Sequence, residues 1–287
     1  MMNLKHWTWF LTLIPTMNKA EHYQKYVDYT VMVAVNSGFE WMSLLDTMAQ
    51  NSKRSIPEVL LIHFQRPSAV DCRTYQEWVK AGFQVRRGAI GIAVLDSEDP
   101  KKMKYLFGRG DTAIHSGGDK RWKFYSQYEE AVVCALQKTF GTTGKINFGS
   151  LLQHAVISIL DHYWNAHDTE ILDGIMDSFM GWGEYNAKLQ FMDAAYISAC
   201  YMILQRCDKN PRCSFYESDF FCVRDFASPK AMATLAEAIR AVGDQVLDVI
   251  GKTITQQTRD NSIVAEGAQV PSAFLKPKSI KKEMEVR

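Results

Sequence analysis

The spacing of apolar residues changes along the chain, and it separates a mixed first half from a helical second half. Between Trp41 and Met48 the apolar residues recur at i, i+3, i+4 and i+7, which predicts one face of a helix. The run from Glu58 to Phe64 is apolar almost throughout. It predicts a short buried segment closed by Pro67, because proline cannot continue a ladder.

A change of period from 3.6 to 2 follows at Gly82. Tyr75, Trp78 and Val79 predict a helix that ends at this glycine. After it, residues 83–86 and 90–95 predict two strands joined around Gly88, and the Asp-, Ser- and Pro-containing stretch 96–101 predicts a turn.

Residues 102–107 alternate and predict a third strand of the same small antiparallel meander. We expect its apolar residues Met103, Tyr105 and Phe107 to face the core. Lys102 and Lys104 would then point outward, on the same sheet as the glycine-containing turn.

Residues 129–250 are helical in pattern. Broad apolar stripes cover residues 129–140, 151–164 and 192–203. A last helix is predicted to begin with Ser228 as N-cap and Pro229 at the first helical position. Its apolar face continues to Val246, and the pattern fades after about residue 256.

Together these patterns predict an α+β fold, in which a small antiparallel β-meander with flanking helices is followed by an all-α region. Four segments are expected. Residues 1–40 form an N-terminal segment to which the pattern assigns no fold, 41–128 an α+β domain, 129–255 a helical domain and 256–287 a flexible polar tail.

The formal net charge of +1 hides an uneven distribution along the chain. Residues 53–145 carry 16 basic and 10 acidic side chains, whereas residues 146–250 carry 7 basic and 14 acidic ones. A basic block therefore precedes an acidic one. Such asymmetry suggests that one part of the molecule faces a polyanion, and an ordinary solvated surface is the simpler alternative.

The sequence lacks the common motifs of catalytic and metal-binding sites. The six cysteines form no CxxC pair, no HExxH or GxSxG occurs, and GTTGKI at 141–146 has Ile146 where a P-loop needs Ser or Thr. We expect no enzymatic activity, no cofactor and no metal. The apolar stretch 7–14 is too short to cross a bilayer, and it lacks a cleavage pattern, so we expect a cytoplasmic protein without a membrane partner.

The basic block interleaves cations with aromatic residues. Fourteen lysines and arginines fall between Lys53 and Lys123, and eight aromatic residues fall between Tyr75 and Tyr125. Cations that follow a phosphate chain and aromatic faces on which bases stack are what a single-strand-binding surface requires. The alternative is that most of these aromatic residues belong to the hydrophobic core.

Four stretches of this block together resemble a known module: QRPSAV at 65–70, TYQEW at 74–78, VRRGAIGIAVLD at 85–96 and KYLFGRGDT at 104–112. They are similar to the N-terminal domain of ArdC-like antirestriction proteins, in the variant that opens long multidomain proteins of bacterial conjugative elements and phages. The similarity continues through AYISACYMILQRC at 195–207 and the helix from Ser228, about three quarters of the chain, without a motif as specific as a zinc-finger spacing.

The resemblance implies a single-stranded DNA-binding accessory protein of a mobile element, acting in antirestriction or strand protection. It departs from the family pattern at Ile90, where a lysine or similar polar residue is usual, and at GRGDT, which replaces an aspartate-rich stretch and adds Arg109. The metallopeptidase half of ArdC proteins is absent from this sequence. The DNA-binding residues expected from the basic block and the resemblance are Arg66, Arg73, Tyr75, Trp78, Arg86, Arg87, Gly88, Gly91, Lys102, Lys104, Arg109 and Trp122.

Two other interpretations remain open. The chain would be an interaction or scaffold protein if its basic block docked against its own acidic half. It would be the N-terminal fragment of a larger polypeptide if a helicase or methyltransferase module, the expected downstream partner, followed it. Salt-sensitive self-association without a response to oligonucleotides would favour the scaffold.

Overall fold

The computed structural model describes residues 18–96, 99, 101–114, 121–142, 144 and 147–267. For Ile114 and residues 261–267 it describes the backbone only. The predicted apolar stretch 7–14 and the tail beyond 267 lie outside the described residues. The helices are α1 (Lys19–Asn36), α2 (Gly38–Gln50), α3 (Ile56–Gln65), α4 (Tyr75–Lys80), α5 (Glu129–Phe140), α6 (Phe148–Ile175), α7 (Glu184–Arg206) and α8 (Pro229–Gly267). The strands are β1 (Arg73–Thr74), β2 (Phe83–Val85), β3 (Ile92–Leu95), β4 (Met103–Phe107) and β5 (Thr112–Ile114).

This architecture confirms the predicted α+β class, with a small antiparallel sheet and flanking helices before a helical region. The predicted helices around Trp41, Tyr75 and Ser228 are present as α2, α4 and α8. The last helix continues to Gly267, so the segment predicted as a tail from residue 256 begins as helix.

The apolar run 58–64 lies in a helix, α3, and is not a ladder segment that Pro67 closes. The Glu58 carboxylate accepts a 3.0 Å hydrogen bond from the Ser55 backbone N–H, and Pro57 stands in the first turn. These are helix-initiating features. The helix is buried on several sides, which removes the alternation that would have marked it as amphipathic.

The five strands of the described residues form two antiparallel sheets, not one meander. β3 and β1 flank β4, whereas β2 pairs with β5. The expectation that the strands on either side of Gly88 pair with each other is therefore wrong. The Arg86 N–H donates to the Asp111 carbonyl at 2.9 Å and extends the pairing of β2 toward the segment before β5 instead.

The faces of β4 are the reverse of those predicted. Leu106 is fully buried, while Tyr105 is 48% exposed and Met103 and Phe107 are partly exposed. Lys104 lies on the same side as Leu106 and reaches Glu58 of α3. The inward face of this strand thus combines an apolar residue with a lysine whose charge has a partner.

One hydrophobic cluster joins the two parts of the chain, from Ala20 in α1 to Ile254 in α8. The Trp41 indole N–H donates a 2.9 Å hydrogen bond to Ser198 of α7, and the Tyr201 hydroxyl donates one of the same length to Asp46. Independent folding of residues 41–128 and 129–255 stays a prediction. In the folded molecule the two segments share a core.

Candidate nucleic-acid interface

A cleft of about 710 Å³ lies where the α+β part meets α7 and α8. We call it the cationic cleft, because eight of its lining residues in the described part of the chain are basic and three are acidic. The basic residues are Lys53, Arg54, Arg73, Lys80, Arg109, Arg121, Arg206 and Arg240, and the acidic ones are Asp71, Asp244 and Asp248. The volume is in the range of ligand sites in proteins.

Elements from both halves of the chain build the cationic cleft. The end of α2 and the loop after it supply residues 49–54, and β1 and the end of α4 supply Arg73 and residues 80–81. Arg109 comes from the turn before β5. The helical half contributes Arg206 from the last turn of α7 and residues 240–248 from α8.

Several cations of the cleft are held by carboxylates of their own neighbourhood. Arg73 makes a bidentate pair with Asp71, with both N–O distances at 2.8 Å, and Arg54 pairs with Glu77 at 2.8 Å. Arg240 pairs with Glu237 one turn earlier on α8. These pairs fix the guanidinium groups in position, while Lys53 and Lys80 are exposed.

Arg206 has a different environment. Its guanidinium carbon lies 3.6 Å from the centroid of the Trp122 ring, and its Nη2 donates to the Trp122 carbonyl at 3.3 Å. Burial and the positive charge of Arg121 lower the pKa of Arg206 to about 10. The side chain stays protonated at neutral pH and keeps its positive charge at a partly buried place.

The pKa of Asp244, an acidic residue of the cleft, lies above the ordinary value of an aspartate. Burial raises its pKa to about 6, Arg240 opposes this shift, and the carboxylates of Asp248 and Glu237 add to it. The charge of the cationic cleft therefore becomes more positive as the pH falls through about 6.

The two tryptophans of the predicted DNA-binding set both contact other protein groups through their rings. Trp78 is fully buried, and its indole N–H donates to the Phe107 carbonyl at 2.7 Å. Trp122 lines the cleft, but Arg206 covers one face, and a Cβ built on Gly251 would lie 2.6 Å from its Nε1. Stacking by the buried Trp78 is therefore wrong, whereas stacking by Trp122 stays a prediction. Tyr75, half exposed at the start of α4, keeps an accessible ring.

Arg86 and Arg87 lie on an exposed turn, as expected. Within the described part of the chain neither side chain forms a salt bridge. Gly88 has a φ of +84° and open space around it, so this turn does require a glycine. Gly91 has another role, because a Cβ there would lie 3.1 Å from Cβ of Tyr105. The missing side chain at Gly91 therefore allows β4 to pack closely against this segment. It does not serve the approach of a phosphate.

The remaining predicted cations divide between exposed and paired. Lys102 is exposed, and its ammonium group forms a surface ion pair with Asp99 at 3.2 Å. Lys104 is held by Glu58 at 2.7 Å, so its expected outward orientation is wrong. Arg66 pairs with Asp111 at 2.7 Å and donates to the Ile90 carbonyl. Arg109 lies over the Phe83 ring at 3.9 Å and lines the cleft.

The structure thus brings Arg73, Arg109 and Trp122 of the predicted set into the cleft. Sequence reasoning did not select Arg206, Arg240 or Asp244, which lie in the acidic half. Nothing in the pattern singles them out, because each stands on a helix whose charges look like an ordinary solvated face. Lys53, Arg54, Lys80 and Arg121 belong to the basic block, but the sequence does not show that they converge.

Comparisons of this chain with protein-family models, with curated proteins and with solved structures found no match. Among the described residues, no group of three or more His, Cys, Asp or Glu side chains is arranged to hold a metal ion. In the same part of the chain, every helix falls short of the length and apolarity needed to cross a membrane.

Proposed function

We propose that this protein binds single-stranded nucleic acid, and that the cationic cleft is its main contact with the phosphate chain. The observation that carries the proposal is the convergence of eight basic side chains from both halves of the chain on one cleft. A phosphate chain is the common biological ligand with matching charge density, and each neutralised phosphate releases counterions.

The exposed turn at Arg86 and Arg87 extends this surface. β2 begins at Phe83, which lines the cleft, and ends just before the two arginines. A strand of three residues spans roughly 10 Å, so a bound strand leaving the cleft along β2 would meet the turn. Tyr75 offers a half-exposed ring for base stacking.

The scaffold alternative, in which the basic block docks on the acidic helices, has less support. Arg54, Arg66, Arg73 and Lys104 each pair with a carboxylate of the first 111 residues and not with one of α6–α8. The basic block therefore has local partners, and the cleft retains an excess of positive charge.

The biological role is part of the same proposal and rests on the resemblance to ArdC-like domains. We place the protein in the cytoplasm as a non-enzymatic accessory of a mobile genetic element, in antirestriction or protection of incoming single strands of DNA. A helicase or methyltransferase module encoded by the same element is the expected partner.

Fluorescence anisotropy with matched single- and double-stranded oligonucleotides over a salt series tests the binding. We expect tighter binding of the single strand and a linear fall of log K with log salt. Equal affinity for the duplex, or no response to any oligonucleotide together with salt-sensitive self-association, would reject the proposal.

A further inference from the structure

The unusual feature inside the cationic cleft is a guanidinium group with very few partners. Arg206 has five N–H donors, and one of them has a hydrogen-bond acceptor among the described residues, the Trp122 carbonyl at 3.3 Å. No carboxylate of that part of the chain lies within salt-bridge distance of it. By contrast, three other arginines of the cleft, Arg54, Arg73 and Arg240, each have a carboxylate partner.

The surroundings of Arg206 make this lack of a partner costly. The side chain is partly buried, and the nearby positive charge of Arg121 acts against its own charge, as the lowered pKa of Arg206 shows. A buried cation is normally paired, because desolvation of the charge is otherwise uncompensated. An anion in the cleft would supply the missing partner.

Contacts within the protein fix the position of the Arg206 guanidinium. Its face lies on the Trp122 ring, and Trp122 is packed against α8 where Gly251 leaves no room for a side chain. The hydrogen-bonding edge of a guanidinium that stacks on a ring stays free for an acceptor. Trp122 is therefore a positioning residue for Arg206.

We propose that Arg206 and Arg121 form a subsite of the cationic cleft that binds a phosphate monoester, the terminal phosphate of a nucleic-acid strand or of a free nucleotide. A monoester carries a charge of about −1.5 to −2 and three acceptor oxygens, which suits two neighbouring guanidinium groups. An internal phosphodiester carries a single charge and two free oxygens. The subsite extends the nucleic-acid binding proposed above, on which the choice of a strand end rests.

The test compares oligothymidylates that carry the dye on an internal base and differ only at their ends: 5′-phosphate, 3′-phosphate or hydroxyl at both. Thymidine 5′-monophosphate and thymidine serve as competitors, and titration calorimetry measures the binding of each of them directly. The proteins are the full chain, Arg206→Gln, Arg121→Gln and the control Arg259→Gln, which removes the same charge from an exposed position of α8 outside the cleft.

We expect the unmodified protein to bind one phosphorylated end about tenfold more tightly than the hydroxyl end. Arg206→Gln and Arg121→Gln should abolish this preference, so that each variant binds the three kinds of end with equal affinity, whereas Arg259→Gln should retain it. If Arg206→Gln fails to fold, the comparison of ends in the unmodified protein and in Arg121→Gln decides.

The outcomes separate the subsite from the proposed function. Equal affinity of the unmodified protein for all three ends, with clear binding of each, overturns the subsite and leaves nucleic-acid binding intact. Binding of the nucleotide but not of thymidine or of any oligonucleotide supports the subsite, makes the free nucleotide its ligand and overturns the proposed function. Binding of none of these probes overturns both.

Discussion

The ammonium group of Lys104 lies 2.7 Å from Oε1 of Glu58, whose side chain is only 5% exposed. Asp96 is a further neighbour at 3.8 Å. This pair connects β4 to α3 beneath the sheet, and Glu58 also caps the first turn of α3. A lysine that looks like a surface cation in the sequence is therefore partly buried and paired with a buried carboxylate.

Replacing Lys104 with Ala should lower the free energy of unfolding by about 3 kcal/mol, because Glu58 would keep a buried charge without its partner. Urea denaturation measures the effect. Lys102→Ala is the matched control, since this side chain is 73% exposed and its pairing with Asp99 should contribute less than about 1 kcal/mol. Equal decreases for the two variants would contradict the structural role of Lys104.

Tyr75 and Trp78 stand three residues apart on α4 and should respond in opposite ways. Trp78→Leu should destabilise the fold by about 3 kcal/mol, since it leaves a cavity and removes the hydrogen bond to the Phe107 carbonyl. Tyr75→Ala should leave stability within about 0.5 kcal/mol and weaken single-strand binding by about 1 to 3 kcal/mol. Urea denaturation and anisotropy on both variants check this, and unchanged binding by Tyr75→Ala would remove the stacking role.

The turn at Arg86 and Arg87 should contribute to binding through charge alone. For a single strand the magnitude of the salt slope falls by about 0.7 for each phosphate that is no longer neutralised, so it should be smaller by about 1.4 in the double variant Arg86→Ala/Arg87→Ala. The control Arg224→Ala/Arg259→Ala removes two exposed arginines of the helical half and should leave the slope unchanged. A double variant with unaltered slope and affinity would exclude this turn from the interface.

Asp244 should make stability depend on pH. Its folded pKa of about 6 lies above the value near 3.9 of an unfolded aspartate, so the folded state binds more protons between these values. Stability therefore falls as the pH rises from about 4 to 6, by less than about 3 kcal/mol, because solvent screens this partly exposed carboxylate.

Asp244→Asn should remove this dependence and be the more stable protein at pH 7.5, by up to the same amount, in urea denaturation. Asp248→Asn, at a 74% exposed position one turn further on, is the control and should change the pH profile little. A pH profile of Asp244→Asn that parallels that of the unmodified protein would contradict the burial of this carboxylate.

The same carboxylate should also regulate binding. Protonation of Asp244 removes a negative charge from the cationic cleft, so affinity for a hydroxyl-ended oligonucleotide should rise as the pH falls from 7.5 to 5.5. Phosphodiesters do not titrate in this range, which leaves the protein as the source of the change. Anisotropy should show a flat profile for Asp244→Asn, and a profile that still rises would assign the effect to another group.

Much of the fold follows from local pattern. The stripe around Trp41 and the Ser228–Pro229 start of α8 depend on residues a few positions apart, so they can be predicted without the tertiary structure. The two faces of β4 and the helical nature of α3 could not. Burial on several sides leaves α3 without a polar stripe, and the alternation of β4 does not show that Lys104 points inward to Glu58 of α3.

The sequence by itself determined the α+β class, most of the helices and the concentration of cations between Lys53 and Lys123, because helix periodicity and charge are local properties. The tertiary structure decided which cations converge. Arg206 and Arg240 join Arg73 and Arg109 in one cleft because α7, which packs against α8, also packs against α2, as the hydrogen bond between Trp41 and Ser198 shows. Contacts across such distances in the chain depend on the packing of the whole core, which no short window of sequence contains.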